Sequence, residues 1–171
     1  IGIDADGYSV SIDNTGNISA FASNDVLLGN SIAIGINAEA TADITISNTG
    51  DISLAGSSGD GYARSGYYPN YVYFAGDFNG TGISAESTLG SISVTNSGAI
   101  TITDQNPVDG MSGSSRSGDW HIGIVADTLL GDSTINNSGD ITIAGGEMGY
   151  GLVARTDSLT VYYDCPPPYD N

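Results

Sequence analysis

The sequence predicts an all-β fold, a parallel β-helix (β-solenoid) of about five coils with long surface insertions. Three observations predict it. A unit of related sequence recurs five times along the chain. Within each unit apolar and polar residues alternate with period two, the pattern of half-buried strands. An Asn-Thr/Ser-Gly step interrupts the alternation at a fixed place and marks a corner.

The first opens Gly2-Ile-Asp-Ala-Asp6 and continues Val10-Ser-Ile-Asp-Asn-Thr-Gly-Asn-Ile-Ser-Ala20. The second has Gly-Ile-Asn-Ala-Glu from Gly35, then Ile44-Thr-Ile-Ser-Asn-Thr-Gly-Asp-Ile-Ser-Leu54. The third has Gly-Ile-Ser-Ala-Glu from Gly82, then Ile92-Ser-Val-Thr-Asn-Ser-Gly-Ala-Ile-Thr-Ile102. The fourth has Gly-Ile-Val-Ala-Asp from Gly123, then Thr134-Ile-Asn-Asn-Ser-Gly-Asp-Ile-Thr-Ile143. The fifth begins Gly151-Leu-Val-Ala-Arg155 and continues as Leu159-Thr-Val161. Each unit supplies three short strands. One coil cannot bury its apolar face alone, but coils stacked ~4.8 Å apart bury a continuous core.

Aligned units then predict columns. Ile3, Ile36, Ile83, Ile124 and Leu152 form one interior column, and Ala5, Ala38, Ala85, Ala126 and Ala154 another. Asn14, Asn48, Asn96 and Asn137 stack at the corner, where their amides can bond up and down the ladder. Gly16, Gly50, Gly98 and Gly139, which follow them, can take positive φ at the corner. The opening glycines stand 33, 47, 41 and 28 residues apart, so the longer units carry insertions. The solenoid is expected over 1–163, with insertions near 21–33, 55–81 and 103–121. Residues 164–171 are expected to be a Pro-rich extended tail, since three consecutive prolines cannot donate ladder bonds.

Composition excludes several functions. Twenty acidic side chains face three arginines and no lysine, a formal net charge of -17. So acidic a surface cannot neutralise phosphates, which excludes nucleic-acid binding by a basic face, and it has no attraction for anionic membranes. No apolar run approaches the ~20 residues of a membrane-spanning helix. Richness in Gly, Ser, Thr, Asn and Asp, with no lysine, points to an extracellular or cell-surface protein. The start at Ile1, without a leader, suggests a mature or excised piece of a longer precursor. Cys165 is the only cysteine, so no intramolecular disulfide exists; it either pairs between chains or is a free thiol. Asn17, Asn79 and Asn136 each begin an Asn-x-Ser/Thr glycosylation acceptor, a motif that also arises by chance in such a chain.

The Gly-Ile-x-Ala and Ile-x-Asn-Thr/Ser-Gly-x-Ile-x-Ile units resemble repeats in passenger domains of bacterial autotransporters and related surface adhesins. The resemblance covers nearly all of residues 1–161. It implies a right-handed β-helix, exported to the cell surface, acting in adhesion or as a stalk. The chain has no membrane-inserting barrel pattern, and the Tyr-rich insertion lies outside the repeat.

Four features could carry chemistry. Asp6, Glu39, Glu86 and Asp127 occupy one position of successive units, with Arg155 in the fifth, where it could pair with Asp127. This acidic column reads either as a calcium-bridged stripe or as a solvated, salt-screened one; no cofactor is otherwise required. The Gly-Gly-x-Gly-x-Asp repeat of calcium β-rolls is missing from the chain. The second feature is the insertion Gly56–Thr81, with Tyr62, Tyr67, Tyr68, Tyr71, Tyr73, Phe74 and Phe78. Such aromatic density suits an interface or ligand surface, or a lid folded over the solenoid. The third is Asp104–Ile122, holding Trp120 and the only histidine, His121, which reads as structural. Some pectin-degrading enzymes share the fold, but clustered basic residues are lacking here and the chain is expected not to be an enzyme. The fourth is an outward hydroxyl ladder, Ser19, Ser53, Thr101 and Thr142, which falls short of the paired Thr-x-Thr ranks of ice-binding solenoids.

The expected function is therefore a non-enzymatic extracellular structural protein that self-associates into a surface fibre or filament. The alternative is a monomeric adhesin segment binding glycan or a host surface protein through the Tyr-rich insertion. Because subunits this acidic repel one another, association is expected to depend on salt or divalent cations.

Overall fold

The computed structural model describes residues 1–23, 30–57, 63–65, 72–74, 78–105, 120–145 and 148–156, with backbone alone for 63–65 and 72–74. Among these residues there is no helix. The first coil comprises β1 (Ile3–Gly7), β2 (Val10–Asn14) and β3 (Ile18–Ser23). The second comprises β4 (Ser31–Ala40), β5 (Ile44–Asn48) and β6 (Ile52–Ser57). A short antiparallel hairpin, β7 (Ala63–Ser65) and β8 (Val72–Phe74), lies in the following insertion. The third coil comprises β9 (Phe78–Ser87), β10 (Ile92–Asn96) and β11 (Ile100–Asp104). The fourth comprises β12 (Trp120–Thr128), β13 (Ser133–Asn137) and β14 (Ile141–Ala144), and β15 (Met148–Thr156) opens a fifth.

Corresponding strands of successive coils pair in parallel and build three sheets. The first runs β1-β4-β9-β12-β15, the second β2-β5-β10-β13, the third β3-β6-β11-β14. This is a parallel β-helix. The register is the one the repeats predict: Ile3, Ile36, Ile83, Ile124 and Leu152 are successive partners, as are the five alanines. Isoleucine side chains from all three sheets fill the interior. Ile36, Ile44, Ile52, Ile83, Ile92, Ile100 and Ile124 are all essentially inaccessible, and each such burial is worth about 1.5–3 kcal/mol.

The corner asparagines form a continuous ladder. Asn14 donates to Asn48 Oδ1 at 2.7 Å, Asn48 to Asn96 Oδ1 at 2.6 Å, and Asn96 to Asn137 Oδ1 at 2.7 Å. Each Nδ2 also donates to the carbonyl of the glycine two residues on, at 2.7–2.8 Å. Buried amides at Asn48 and Asn96 are thus satisfied on both sides, as burial requires.

The corner glycines do not use positive φ; among the described glycines only Gly145 does, at 87°. What demands glycine at Gly50, Gly98 and Gly139 is close approach: a Cβ there would collide with the backbone carbonyl of the corner glycine one coil earlier. The repeat-opening glycines are tight for a related reason. At Gly35 a Cβ would stand 2.5 Å from both the Gly82 carbonyl oxygen and Ile52 Cγ2. There two successive residues, Gly35 and Ile36, both face inward, so the strand bends and its alternation changes phase.

The strands reach beyond the recognisable repeat, so β4, β9 and β12 begin at Ser31, Phe78 and Trp120, inside the spans assigned to insertions. Upstream of the bend the inward positions are Ser31, Ala33, Phe78, Gly80 and His121. β3 and β4, β6 and β9, and β11 and β12 each connect the third sheet to the first, so the three insertions interrupt the repeat at one equivalent point of the unit.

Candidate functional site

The charged residues of the repeat divide into two kinds. Several exposed acids are structural, because their carboxylates accept backbone N–H groups of the next coil. Asp43 accepts from Ser91 at 2.9 Å and Asp51 from Ala99 at 2.9 Å, while the Asn17 side chain accepts from Asp51 at 3.0 Å. They lie at strand starts, where backbone donors are otherwise unpaired.

The other kind is the acidic column. Asp6, Glu39, Glu86, Asp127 and Arg155 are successive register partners across the whole first sheet. Strand spacing sets like charges about 5 Å apart at the backbone, and solvent keeps the repulsion small. Asn37 interposes an amide, donating to Glu39 Oε1 at 3.2 Å and to Asp4 Oδ1 at 3.0 Å. Asp6, Glu39 and Glu86 line a shallow depression together with Gly7, Ala40, Thr41 and Thr88. Among the described residues no three His, Cys, Asp or Glu side chains come together to hold a metal ion. The pairing of Arg155 with Asp127 is present, Nη1 to Oδ2 at 3.6 Å, with the arginine side chain 58% exposed.

The aromatic candidates separate. Tyr62, Tyr67, Tyr68 and Tyr71 lie outside the described residues, as does Cys165; Tyr73 and Phe74 are in β8. Phe78 departs from the expectation of an exposed interface. It is fully buried, because β9 begins at it and turns it inward onto space that Gly56 leaves open. Described aromatics that are exposed lie elsewhere: Tyr8 and Phe21 stand singly in the first coil, and a pair lies on the outer face of the first sheet. There Trp120 and Tyr150, 45% and 43% exposed, stand with ring centroids 6.1 Å apart and planes inclined by 35°. Ile32, also exposed, lies two strands away in the row that contains Asn79 and Trp120. Repeat alignment could not find this surface because Trp120 and Tyr150 have no aromatic counterparts in the other units.

Of the glycosylation acceptors, Asn17 and Asn136 are exposed, while Asn79 is half-buried and accepts the backbone N–H of Trp120 at 3.0 Å. The hydroxyl ladder Ser19, Ser53, Thr101 and Thr142 is in register, but the next outward row reads Phe21, Ala55, Thr103, Ala144. A second rank of hydroxyls does not form.

His121 is in the core. Its ring packs 5.2 Å from the Phe78 ring, and Nδ1 accepts the Gly80 N–H at 3.3 Å. That bond leaves the proton of the neutral ring on Nε2, which is buried with no hydrogen-bond partner. Burial lowers the His121 pKa below 6.5; Asp104 and the backbone of Trp120 oppose the shift without reversing it. The unfolded chain therefore takes up the proton first as pH falls. The His121 contribution to stability is intact above pH 6.5 and declines as pH falls from there toward the lowered folded value. Thermal melts of the parent and of His121→Leu should show this decline only in the parent, and parallel curves through that range would refute it.

Fold and columns define a repeat protein of the parallel β-helix class. No known protein-family model, curated protein or solved structure matches the chain. Among the described residues no helix is long and apolar enough to cross a membrane.

Proposed function

We propose that the chain is a non-enzymatic, extracellular structural β-solenoid that associates with copies of itself into a filament or surface fibre, like the stalks its repeats resemble. The observation that carries this reading is the state of the stack's two outer strands. Neither the outer edge of β1 nor that of β15 has a strand partner among the described residues. Both carry apolar side chains whose equivalents are buried in internal coils: Ile3 of β1 is only partly buried and Leu152 of β15 is 50% exposed, whereas Ile36, Ile83 and Ile124 are fully buried. Open strand edges of this kind favour pairing with another chain.

Light scattering and negative-stain microscopy across a salt series test the reading. Elongated multimers should appear as ionic strength rises and screens the charge of -17. A strict monomer at high concentration and at every salt level would overturn it.

The exposed Trp120 and Tyr150 pair supports a second reading, an adhesin segment whose aromatic rings stack on sugars. Glycan binding that is lost in Trp120→Ala, by a chain that stays monomeric, would favour it.

A further inference from the structure

We infer that copies join head to tail through the first sheet, β15 of one pairing in parallel with β1 of the next, so that Arg155 meets Asp6 of the following copy. The inference rests on the self-association reading and specifies its junction. Register is the starting point. Leu152, Ala154 and Arg155 align with Ile124, Ala126 and Asp127, and through the intervening strands with Ile3, Ala5 and Asp6. A second copy continuing the stack in the same register sets Ile3 on Leu152, Asp4 on Val153, Ala5 on Ala154 and Asp6 on Arg155. The junction would bury an isoleucine against a leucine and an alanine against an alanine, as the internal steps do.

Charge selects the orientation. Every internal step of the column from Asp6 to Asp127 sets acid beside acid, and only β15 presents a cation. Arg155 already meets Asp127 with one nitrogen, and more than half of its side chain remains exposed. The guanidinium has five N–H donors in a planar fork, enough to bridge two carboxylates on opposite sides. Head-to-head or tail-to-tail contact would run the strands antiparallel, lose the column register, and bring together two ends of the same sign, Asp4 and Asp6 with their own copies or Arg155 with its own. Only the head-to-tail junction keeps the parallel register and sets a cation of the column beside an acid. Such a heterologous contact leaves both ends open after every addition, so it builds filaments and not closed dimers.

The test uses the full 171-residue chain at physiological salt, with association followed by light scattering and sedimentation. Either R155D or D6R alone opposes like charges at the junction and should weaken association at least about tenfold. The doubly exchanged D6R/R155D chain should recover it. Mixing the two single variants should also recover it, because each then meets a complementary end on the other. Recovery on mixing cannot come from a variant that has failed to fold. Association of both single variants equal to the parent, or no recovery in the double variant and the mixture, would overturn this junction. A parent chain that stays monomeric at every salt concentration would remove the self-association reading itself, a different outcome from multimers indifferent to the charge exchange.

Discussion

Phe78→Ala is expected to destabilise the solenoid by about 3–5 kcal/mol, the cost of emptying a large buried aromatic site. Phe78 is wholly inaccessible, lies against the His121 ring and fills the space that Gly56 leaves. The cavity cannot collapse easily, because its walls are strands fixed by ladder bonds to the coils on either side. In a chain of this length the melting temperature should drop by about 10 °C. A companion substitution gives the test its edge. Gly56→Ala alone places a methyl against the Phe78 ring and should cost about 1–3 kcal/mol by overpacking. In the Phe78→Ala background the same methyl enters empty space and should cost little or even stabilise. A double-mutant cycle that came out additive would show that the two residues do not share this space.

The second large effect is expected at a corner. Gly98→Ala should cost about 3 kcal/mol or more, at the upper end of what overpacking produces. The new methyl would meet the Gly50 carbonyl, and backbone has no alternative rotamer with which to yield. Relief requires the third coil to lift from the second, which stretches the bond from Asn48 to Asn96 and the backbone bond from Ser97 to the Asn48 carbonyl. At Gly16, in the first coil, a Cβ would have only the Asn14 Oδ1 nearby, at 3.9 Å. Gly16→Ala should therefore be nearly silent. Chemical denaturation of the pair tests this directly, since equal losses at both sites would implicate glycine conformation in place of inter-coil contact.

These two sites also show what the sequence could and could not disclose. A residue repeated in every unit announces its column, because equivalent positions of stacked coils touch. Isoleucines, alanines, corner asparagines and the acidic column could all be placed by alignment, and the ladders pair them as aligned. Phe78, His121 and Trp120 occur once each, so no alignment marks which way they point. Their placement depends on a bend at Gly35, Gly82 and Gly123 that shifts the alternation by one residue, and on glycines that leave room for larger neighbours. The corner glycines misled differently. Glycine next to asparagine commonly signals a left-handed turn, whereas here it signals that two backbones are too close for any side chain. The buried Ser87 and Thr128 hydroxyls were hidden as well. They donate to the Ala42 and Gly90 carbonyls at 2.7 and 2.8 Å, yet in sequence look like ordinary surface residues.

The insertions all fall between the third strand of one coil and the first strand of the next, and this placement has a mechanical consequence. Hydrogen bonds between coils point along the solenoid axis, so a pull applied along that axis loads one inter-coil seam after another. When a seam opens, the chain released includes the insertion carried by that coil. The unit from Gly35 to Gly82, 47 residues long, would pay out on the order of 150 Å when drawn straight. The shortest unit, 28 residues from Gly123, would release roughly 90 Å. A rod built this way yields in unequal steps, each set by its insertion, and dissipates work at every one.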